Sequence, residues 1–303
     1  MTADDVRALY FDLMKKVLID LIYMTPEELE RRSLKIERFE DIEKTWPSRA
    51  HTLLGMERLD NIQFCVEDVV RNGVPGDMIE TGVWRGGACI FMRSILKAYG
   101  VTDRTVWVAD SFQGVPPPDE ENYPADKGDR LYELKGLTVT KDDVASHFER
   151  YDLLDDQVRF LEGWFKDTLP TAPIERLAVL RMDGDLYEST MDALNALYHK
   201  VSVGGYVIVD DYNAIAGCAR AVDEFREAHS ITDEMIKVDH HVVYWQKTQG
   251  IAPNPVPVQR VTTKPAPPAE KPRLRDMTAQ ELMNRAVGKV RHEARKLRGE
   301  SDS

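Results

Sequence analysis

Cysteine is scarce in this chain, and long apolar runs and an excess of positive charge are missing. The 303 residues include three cysteines, Cys65, Cys89 and Cys218, which show no CxxC spacing. Because their number is odd and their spacing is irregular, neither a disulfide framework nor a structural zinc site is expected. The cysteines are predicted to be buried thiols of a cytoplasmic protein.

Charge and hydropathy exclude two further classes of protein. The formal net charge is −12, whereas a general nucleic-acid-binding protein presents a basic surface. No apolar run approaches the roughly 18 residues that a membrane-spanning helix needs, and residues 1–7 include two acids and no apolar signal core. We therefore expect no nucleic-acid partner and no transmembrane segment.

Hydrophobic periodicity divides the chain into three regions. Helical spacing of apolar residues predicts an N-terminal helical cap over residues 1–72. Residues 73–249 alternate predicted strands and helices, and the continuous apolar runs in the strands are typical of a doubly wound sheet covered on both faces. The predicted strands are Asp77–Thr81, Thr105–Asp110, Val158–Glu162, Leu177–Met182 and Tyr206–Asp210, with a closing pair at Ile236–Asp239 and Val242–Gln246.

The third region, residues 250–303, is expected to lie outside this domain. It is proline-rich as far as Arg275 and then has the pattern of a basic amphipathic helix over Thr278–Arg298. Such a helix could dock on the acidic body of the protein, on another subunit or on an anionic surface. Disorder is the alternative. We assign this region no catalytic role.

A long connection interrupts the alternation of strands and helices. Residues Gln113–Thr140 are charged and contain the run Val115-Pro116-Pro117-Pro118. Connections of this length are usually functional, often as lids over a site. An inert surface insertion is the alternative.

A glycine turn follows the first predicted strand and indicates a cofactor site. The run Glu80-Thr81-Gly82, followed by Gly86 and Gly87, allows a tight turn and close approach of the backbone to a ligand. An acid at Glu80 would repel a pyrophosphate but attract an amino-acid head group and its sulfonium. Asp110, which closes the second strand, is placed to accept hydrogen bonds from both ribose hydroxyls. These features favour S-adenosylmethionine over a dinucleotide.

A second predicted contact with this cofactor comes from the end of the third strand. Gly163 and Trp164 follow that strand directly, at a position that commonly borders the adenine. An aromatic side chain there can stack on a base. The alternative is that Trp164 and the neighbouring Phe165 belong to the hydrophobic core.

Four aspartates follow two other predicted strands. Asp183 and Asp185 come after the strand that ends at Met182, and Asp210 and Asp211 come at the end of the next one. In a parallel sheet these carboxylates would meet at one edge, where they repel one another unless a cation lies among them. Asp183, Asp210 and Asp211 offer only oxygen ligands, which favours Mg²⁺.

Asp185 is the candidate general base of this site. A cation bound to a vicinal diol lowers the pKa of a hydroxyl, and a nearby carboxylate can then accept its proton. Asp185 lies close to Asp183 in sequence but beyond the bend at Gly184. The alternative is that Asp183 or Asp185 caps the next helix, which does not explain Asp210 and Asp211 as well.

Four of these segments together resemble the macrocin O-methyltransferases, which modify deoxysugars on macrolide and aminocoumarin antibiotics. The resemblance covers roughly residues 8–248. The matching segments are Ile79–Gly87, Asp110-Ser111-Phe112, Arg181–Thr190 (RMDGDLYEST) and Val209-Asp210-Asp211-Tyr212. It implies an α/β, class I methyltransferase fold, with a Rossmann-like doubly wound sheet of seven strands.

The resemblance also implies the contents of the site. It implies S-adenosylmethionine, bound in part by Ser111 and Asp183, Mg²⁺ held by Asp183, Asp210 and Asp211, a base at Asp185, and a mobile lid over residues 113–140. The segment from His51 to Gly55 resembles the part of the family that covers the methionine end of the cofactor, through Thr52 and Leu53. Leu53 stands where the family is expected to have Met.

The function predicted from the sequence is therefore methylation of a sugar hydroxyl on a glycosylated small molecule or saccharide. A catechol-type enzyme would use the same metal chemistry on an aromatic diol. A cofactor-binding scaffold without turnover is the third possibility, although it would not need a carboxylate cluster that destabilises the fold without its cation. Self-association into a homo-oligomer is compatible with the sequence.

Overall fold

The computed structural model describes residues 1–32 and 38–256, and these fall into two compact units. The smaller unit includes Tyr23–Ser48, with helix α2 (Pro26–Arg32) and a 3₁₀ helix (Phe39–Thr45). A capping box begins α2. The amide of Thr25 donates to Glu28 Oε2 over 3.0 Å, and the amide of Glu28 donates to Thr25 Oγ1 over 3.2 Å.

The larger unit is built on a seven-stranded sheet with the order β3-β2-β1-β4-β5-β7-β6. Strands β1 to β5 are parallel, whereas β7 is antiparallel to both β5 and β6. The strands are β1 (Asp77–Thr81), β2 (Val106–Asp110), β3 (Val158–Glu162), β4 (Leu177–Met182), β5 (Val201–Val209), β6 (Ile236–Lys237) and β7 (Val243–Gln246). The predicted doubly wound α/β fold is confirmed.

Helices cover both faces of this sheet, so the central strands are buried on both sides. One face carries α1 and α3 to α5, and the other carries α6 to α8. The helices of the larger unit are α1 (Ala3–Leu18), α3 (Met56–Arg71), α4 (Gly87–Ala98), α5 (Lys141–Arg150), α6 (Phe165–Thr168), α7 (Tyr187–Leu197) and α8 (Ala216–Ala228). Burial on both faces is the reason for the continuous apolar runs in β1, β2 and β4.

The helices α1 and α3 of the predicted N-terminal cap share a core with the sheet. Phe11 of α1 lies edge-on to Phe91 of α4, with ring centroids 6.2 Å apart, and both side chains are fully buried. Ile62 and Val66 of α3 belong to the same hydrophobic cluster. These two helices therefore cover one face of the main domain.

Strands β2, β6 and β7 differ from their predicted bounds by one or two residues, and two larger differences concern β5 and α6. Strand β5 begins at Val201, five residues before the predicted start. Its first residues were missed because Gly204, which has a positive φ of 87°, interrupts the apolar pattern of the sequence. The short helix α6 and the 3₁₀ turn Leu169–Thr171 that follows it were not predicted. Both are too short for helical periodicity to appear in the sequence.

The chain remains packed on the domain as far as Val256. The amide of Val256 donates to Asn195 Oδ1 over 2.8 Å, and Asn195 Nδ2 donates back to the carbonyl of Val256. Ile251 packs against the hydrophobic cluster on the α7 and α8 face of the sheet. Most of the predicted proline-rich linker, and the predicted basic helix over 278–298, lie outside the described residues. Within residues 1–32 and 38–256, no helix has the length and hydropathy needed to cross a bilayer.

Candidate active site

The crevice of interest lies where the direction of the sheet reverses. Strand β1 pairs with β2 on one side and with β4 on the other, and the chain crosses from β3 at one edge to β4 in the middle. Ligands of doubly wound folds bind beyond the carboxyl ends of the strands at such a reversal. The predicted cofactor turn follows β1, and the two aspartate pairs follow β4 and β5.

Backbone hydrogen bonds continue the sheet past the ends of these strands and align the acids. The amide of Asp183 donates to the carbonyl of Thr81 over 2.8 Å, and the amide of Asp210 donates to the carbonyl of Met182 over 2.9 Å. The structure brings the predicted set of three carboxylates together: one oxygen from each of Asp183, Asp210 and Asp211 lies within 4.8 Å of the others.

A buried arginine from β4 lies behind these carboxylates. The Arg181 side chain is 1% exposed and donates to Glu80 and Asp210, and its Nη1 also donates to Asp183 Oδ2 over 2.8 Å. One guanidinium therefore joins the acids that end β1, β4 and β5. Its planar set of donors suits this bridging role, which lysine could not fill.

A second arginine approaches Asp210 from the other side. Arg58 of α3 donates from Nη1 to Asp210 Oδ2 over 2.5 Å and from Nε to Asp239 Oδ2 over 2.6 Å. Each oxygen of Asp210 thus accepts a hydrogen bond from a different guanidinium group. The two arginines fix the orientation of this carboxylate without contributing to the set of three oxygen ligands.

Burial and mutual repulsion raise the pKa of most of these acids. Burial raises the pKa of Asp210 to about 6, with repulsion from Asp183 as the next cause, although Arg181 and Arg58 oppose the shift. Burial raises the pKa of Glu80 to about 7 despite its pairing with Arg181. The pKa of Asp211 is raised well above its usual range, first by burial and then by Asp185 and Asp183. The site is therefore short of positive charge.

Asp185, the predicted general base, has an uncommon backbone conformation. Its φ of 60° is left-handed, which is rare for residues other than glycine and typical of functional sites. Burial, followed by repulsion from Asp183 and Asp129, raises the pKa of Asp185 well above its usual range. It precedes α7 but is not its N-cap, a position that belongs to Leu186. The alternative of a capping role therefore fails for Asp185.

Gly82 is required by the close approach of two strand ends. Its φ is 88°, and a Cβ atom at this position would lie 1.8 Å from the carbonyl oxygen of Asp183. Glycine therefore allows the turn after β1 to touch the turn after β4. The predicted need for close backbone approach is correct, but the neighbour described here is the protein's own backbone.

Asp110 supports the same turn from β2. Its Oδ2 accepts from the amide of Val83 over 2.8 Å, and its Oδ1 accepts from the amide of Phe112 over 2.7 Å. The Ser111 hydroxyl also lies 3.5 Å from Oδ1, whereas Oδ2 can accept a further hydrogen bond, so the predicted contact with a ribose is compatible with this geometry. The hydroxyl of Ser111 is used within its own turn, where it donates to the carbonyl of Gly114 over 3.0 Å.

Two threonines among the predicted cofactor residues are buried. The hydroxyl of Thr81 has no hydrogen-bond partner among the described residues, although the residue is fully buried. Buried hydroxyls of this kind are uncommon without a ligand or water. Thr52 Oγ1 accepts from the amide of Leu54 over 3.1 Å, and Leu53 is 40% exposed. The segment that contains Thr52 and Leu53 lies against the start of α4, where the amide of Gly87 donates to the carbonyl of His51.

The residues after β3 divide between two environments. The amide of Gly163 donates to the carbonyl of Asp110 over 2.9 Å, which places this turn beside the end of β2. Trp164 is partly exposed and precedes α6. Phe165 packs instead toward the aspartate turn, since a Cβ on Gly184 would lie 3.1 Å from its ring. Phe165 is also partly buried and packs against the hydrophobic cluster on the α7 and α8 face of the sheet, so the core alternative holds for it in part. Base stacking by Trp164 stays a prediction.

The predicted lid is anchored on the site. Residues 113–140 contain three short 3₁₀ turns, at Pro124–Asp126, Leu131–Glu133 and Lys135–Leu137. Asp126, Leu131 and Leu134 of this segment are buried. The indole nitrogen of Trp84 donates to the carbonyl of Gly136 over 2.7 Å, which links this segment to the turn after β1. An inert surface insertion would not need these contacts.

Three residues that bond to the acids of the site or to the start of α7 were not predicted from the sequence. Arg181 carried a signal, because a single charge in the apolar strand β4 requires a buried partner. Arg58 and Asp126 carried none, because their partners lie far away along the chain. Their contacts depend on how α3 and the lid pack against the sheet.

Comparison with known proteins identifies the group to which this chain is similar. The model of the macrocin O-methyltransferase family matches residues 12–247. The chain is 57% identical over 247 residues to a demethyldecarbamoylnovobiocin O-methyltransferase of Streptomyces niveus, covering 80% of this chain and 94% of that protein. It is 51% identical over 246 residues to a mycinamicin III 3''-O-methyltransferase of Micromonospora griseorubida, covering 79% of this chain and 96% of that protein.

A solved structure supports the same assignment. The O-methyltransferase NovP is 57% identical in sequence and superposes with a TM-score of 0.74, covering 80% of this chain and 99% of that one. The family resemblance predicted from the sequence motifs is therefore confirmed. The chain belongs to the macrocin O-methyltransferase family, which is a family of methyltransferase enzymes.

Proposed function

We propose that the protein is a magnesium- and S-adenosylmethionine-dependent O-methyltransferase that acts on a hydroxyl of a sugar or deoxysugar in a glycosylated natural product or saccharide. The observation that carries the proposal is the meeting of Asp183, Asp210 and Asp211 beside Asp185 at the reversal point of the sheet. The curated relatives support the sugar acceptor, because their names describe methylation of a novobiocin precursor and of mycinamicin III.

The donor set suits a small, hard cation. The three carboxylates offer only oxygen, and Arg181 and Arg58 do not supply enough positive charge to keep the pKa of Asp210 near its usual value. Oxygen ligands at this spacing suit Mg²⁺, with room for water or substrate oxygens. Asp183, Asp210 and Asp211 would hold the ion, which supplies Lewis-acid polarisation of an acceptor hydroxyl.

The cofactor would lie against the ends of β1, β2 and β3. The unpartnered hydroxyl of Thr81 and the free lone pairs of Asp110 are polar groups available to it, next to the Gly82 turn. Ser111, Asp183, Gly163 and Trp164 would border the same crevice, and Thr52 and Leu53 would cover its methionine end. Glu80, also predicted to contact the cofactor, is 2% exposed and is bonded to Arg181. S-adenosylmethionine supplies an electrophilic methyl group when it is bound.

Asp185 would act as the general base. Its carboxylate would accept the proton that the acceptor hydroxyl loses. General-base catalysis contributes about 10²–10⁴-fold to a rate, and alignment of the two reacting groups contributes at least as much.

The proposal is tested by turnover of two acceptor classes with and without metal. We expect methyl transfer to a deoxysugar glycoside, loss of activity in excess EDTA and its return with Mg²⁺. Turnover of a catechol in preference to glycosides would support an aromatic diol as the acceptor. Full activity in EDTA would refute the role of the metal, and cofactor binding without turnover across a broad set of acceptors would favour the scaffold alternative.

Two variants separate the metal from the base. Asp211→Asn should weaken Mg²⁺ binding measured by calorimetry, whereas Asp185→Asn should lower kcat about 10²–10⁴-fold and keep the affinity for the cofactor. Asp12→Asn, in an ion pair with Lys16 on the surface of α1, is the control and should change neither. Turnover of Asp185→Asn close to that of the wild type would assign the base elsewhere.

A further inference from the structure

Asp126 is a buried carboxylate of the lid whose partners lie on a different element. It is 4% exposed and ends the 3₁₀ turn Pro124–Asp126. Its Oδ1 accepts from the amide of Tyr187 over 2.6 Å, and its Oδ2 accepts from the amide of Glu188 over 3.1 Å. Both oxygens are therefore committed to the first turn of α7.

The start of α7 has no other side-chain cap. Its N-cap residue is Leu186, whose apolar side chain cannot accept a hydrogen bond from the free amides of the first turn. A carboxylate at this end of a helix also interacts favourably with the helix dipole. Asp126 thus does from the lid what a serine or aspartate at position 186 would do locally.

The capped turn is continuous with the aspartate turn that ends β4. Leu186 follows Asp185 directly, and its amide donates to the carbonyl of Gly184 over 2.7 Å. Asp185 itself has a left-handed φ of 60°, a conformation that its surroundings must maintain. A shift of the first turn of α7 would therefore change the direction of the Asp185 side chain.

Helix α8 also packs against Asp126, in addition to α7. A Cβ atom on Gly217, in the first turn of α8, would lie 2.7 Å from Asp126 Oδ1 and 3.2 Å from the amide nitrogen of Tyr187. The absence of a side chain at Gly217 lets the lid carboxylate reach the end of α7. The lid, α7 and α8 meet at this one carboxylate.

We propose that Asp126 is a positioning residue that couples the seating of the lid to the orientation of Asp185 through the first turn of α7. With the lid seated, both amides of this turn are bonded and the turn from Asp183 to Asp185 is fixed. When the lid leaves, the same amides lose their partner and the base loses its fixed direction. This inference rests on the proposed function, because it assigns Asp185 as the base.

The test compares Asp126→Asn and Asp126→Ala with the wild type. Asparagine keeps one acceptor oxygen and alanine keeps none, so kcat should fall in that order, by about 10- to 100-fold for alanine. KM for the acceptor and the Kd for S-adenosylmethionine should stay within about threefold, because Asp126 contacts neither predicted site. Hydrogen exchange of the Tyr187 and Glu188 amides should become faster in the same order.

Asp119→Asn is the matched control within the lid. Asp119 bonds to Asn122 and to the lid backbone, and in the described residues it makes no hydrogen bond to α7, although its charge contributes to the raised pKa of Glu188. This variant should therefore leave both kcat and the exchange of the α7 amides unchanged. Melting temperatures of all variants show whether any loss of turnover reflects unfolding.

Two results would overturn the proposal. One is turnover of Asp126→Ala equal to that of the wild type. The other is a parallel loss of kcat, cofactor affinity and melting temperature, which would indicate a merely structural role. Failure of the wild type to methylate any acceptor would refute the proposed function. An active wild type with equally active Asp126 variants would refute only the role of Asp126, so the two failures can be told apart.

Discussion

The guanidinium group of Arg181 lies against the carboxylate of Asp210, and both side chains are almost completely buried. The same guanidinium holds Glu80 and Asp183, so a single cation connects three strand ends. Buried ion pairs add little net stability when they are complete. Removal of one partner of such a pair leaves an uncompensated charge in the interior.

Replacing Arg181 by methionine should therefore destabilise the protein strongly. Glu80 and Asp210 would remain buried without their partner, and the free energy of unfolding should fall by about 3–5 kcal/mol. The measurement is chemical denaturation in the absence of divalent metal. Adding Glu80→Gln should recover part of the loss, because it removes one of the unpaired acids.

The control is Lys16→Met in the surface pair with Asp12. An exposed pair of this kind on a helix contributes about 0.3–0.5 kcal/mol. If Arg181→Met and Lys16→Met have equal effects, the network around Arg181 does not carry the stability of this sheet edge.

Replacing Gly82 by alanine should prevent the ends of β1 and β4 from meeting. The new Cβ would lie 1.8 Å from the carbonyl oxygen of Asp183, and the positive φ adds strain. We expect a loss of more than about 4 kcal/mol in the free energy of unfolding, or no folded protein. Circular dichroism and the yield of folded protein measure this.

Gly100→Ala is the matched comparison. Gly100 also has a positive φ, of 67°, but nothing lies within 4 Å of the position of its Cβ. This variant should lose only about 1–2 kcal/mol from the left-handed backbone. A Gly82→Ala protein as stable as Gly100→Ala would show that the two strand ends can separate without loss of the fold.

Asp192 on α7 should make stability depend on pH. Burial, followed by repulsion from Glu188, raises its pKa to about 7 in the folded protein, far above the value of about 3.9 in an unfolded chain. Since the folded state holds this proton more tightly, the contribution of Asp192 to stability decreases as the pH rises from about 4 to 7. Above pH 7 the deficit stays constant.

Asp192→Asn should remove this deficit. With allowance for solvent screening, we expect the variant to be more stable than the wild type by on the order of 1–2 kcal/mol at pH 8, with a smaller difference near pH 5. The check is the melting temperature at both pH values, with Asp12→Asn as a control that shows no such trend. An equal effect of Asp192→Asn at the two pH values would contradict the assignment.

The segment from residue 251 to 256 should contribute to stability although it follows the last strand. Asn195 makes two hydrogen bonds with Val256, and the carbonyl of Asn254 accepts from His229 Nε2 over 2.8 Å. A chain ending at Gly250 should therefore melt below a chain ending at Val256. Two or three such bonds correspond to about 1–3 kcal/mol, or roughly 2–4 °C per kcal/mol in a domain of this size.

This comparison isolates six residues, because both truncated chains lack everything after Val256. Asn195→Ala in the longer chain is a further check, and it should reproduce part of the difference. Identical melting temperatures of the two chains would mean that these contacts add nothing to the stability of the fold.

The main strands could be predicted from the sequence because each is a short apolar run between turn residues. Strands β1, β3 and β4 have the predicted bounds, and the acids that follow β4 and β5 lie at the predicted edge. The apolar run of a buried strand is a local feature of the sequence, and the shared carboxyl edge follows from the parallel topology of the sheet. No side-chain contact between distant residues is needed to derive them.

The partners of the site residues could not be predicted in this way. Glu80 was expected to face the cofactor, and the structure gives it a buried bond to Arg181 and a second contact with the Cys89 thiol. A cap of α7 by Asp183 or Asp185 was the alternative to their predicted roles in the site, and the side-chain cap comes instead from Asp126, 61 residues away along the chain. Both outcomes depend on chain segments that are remote along the sequence.

The sequence alone determined the family, the order of strands and helices, and the edge at which the acids gather, because these follow from local patterns and from motifs that are contiguous along the chain. Only the tertiary structure decided which cation faces which acid and how the lid contacts α7. A charged side chain can pair with any opposite charge that packing brings within reach, and this choice is made by burial and distance in three dimensions.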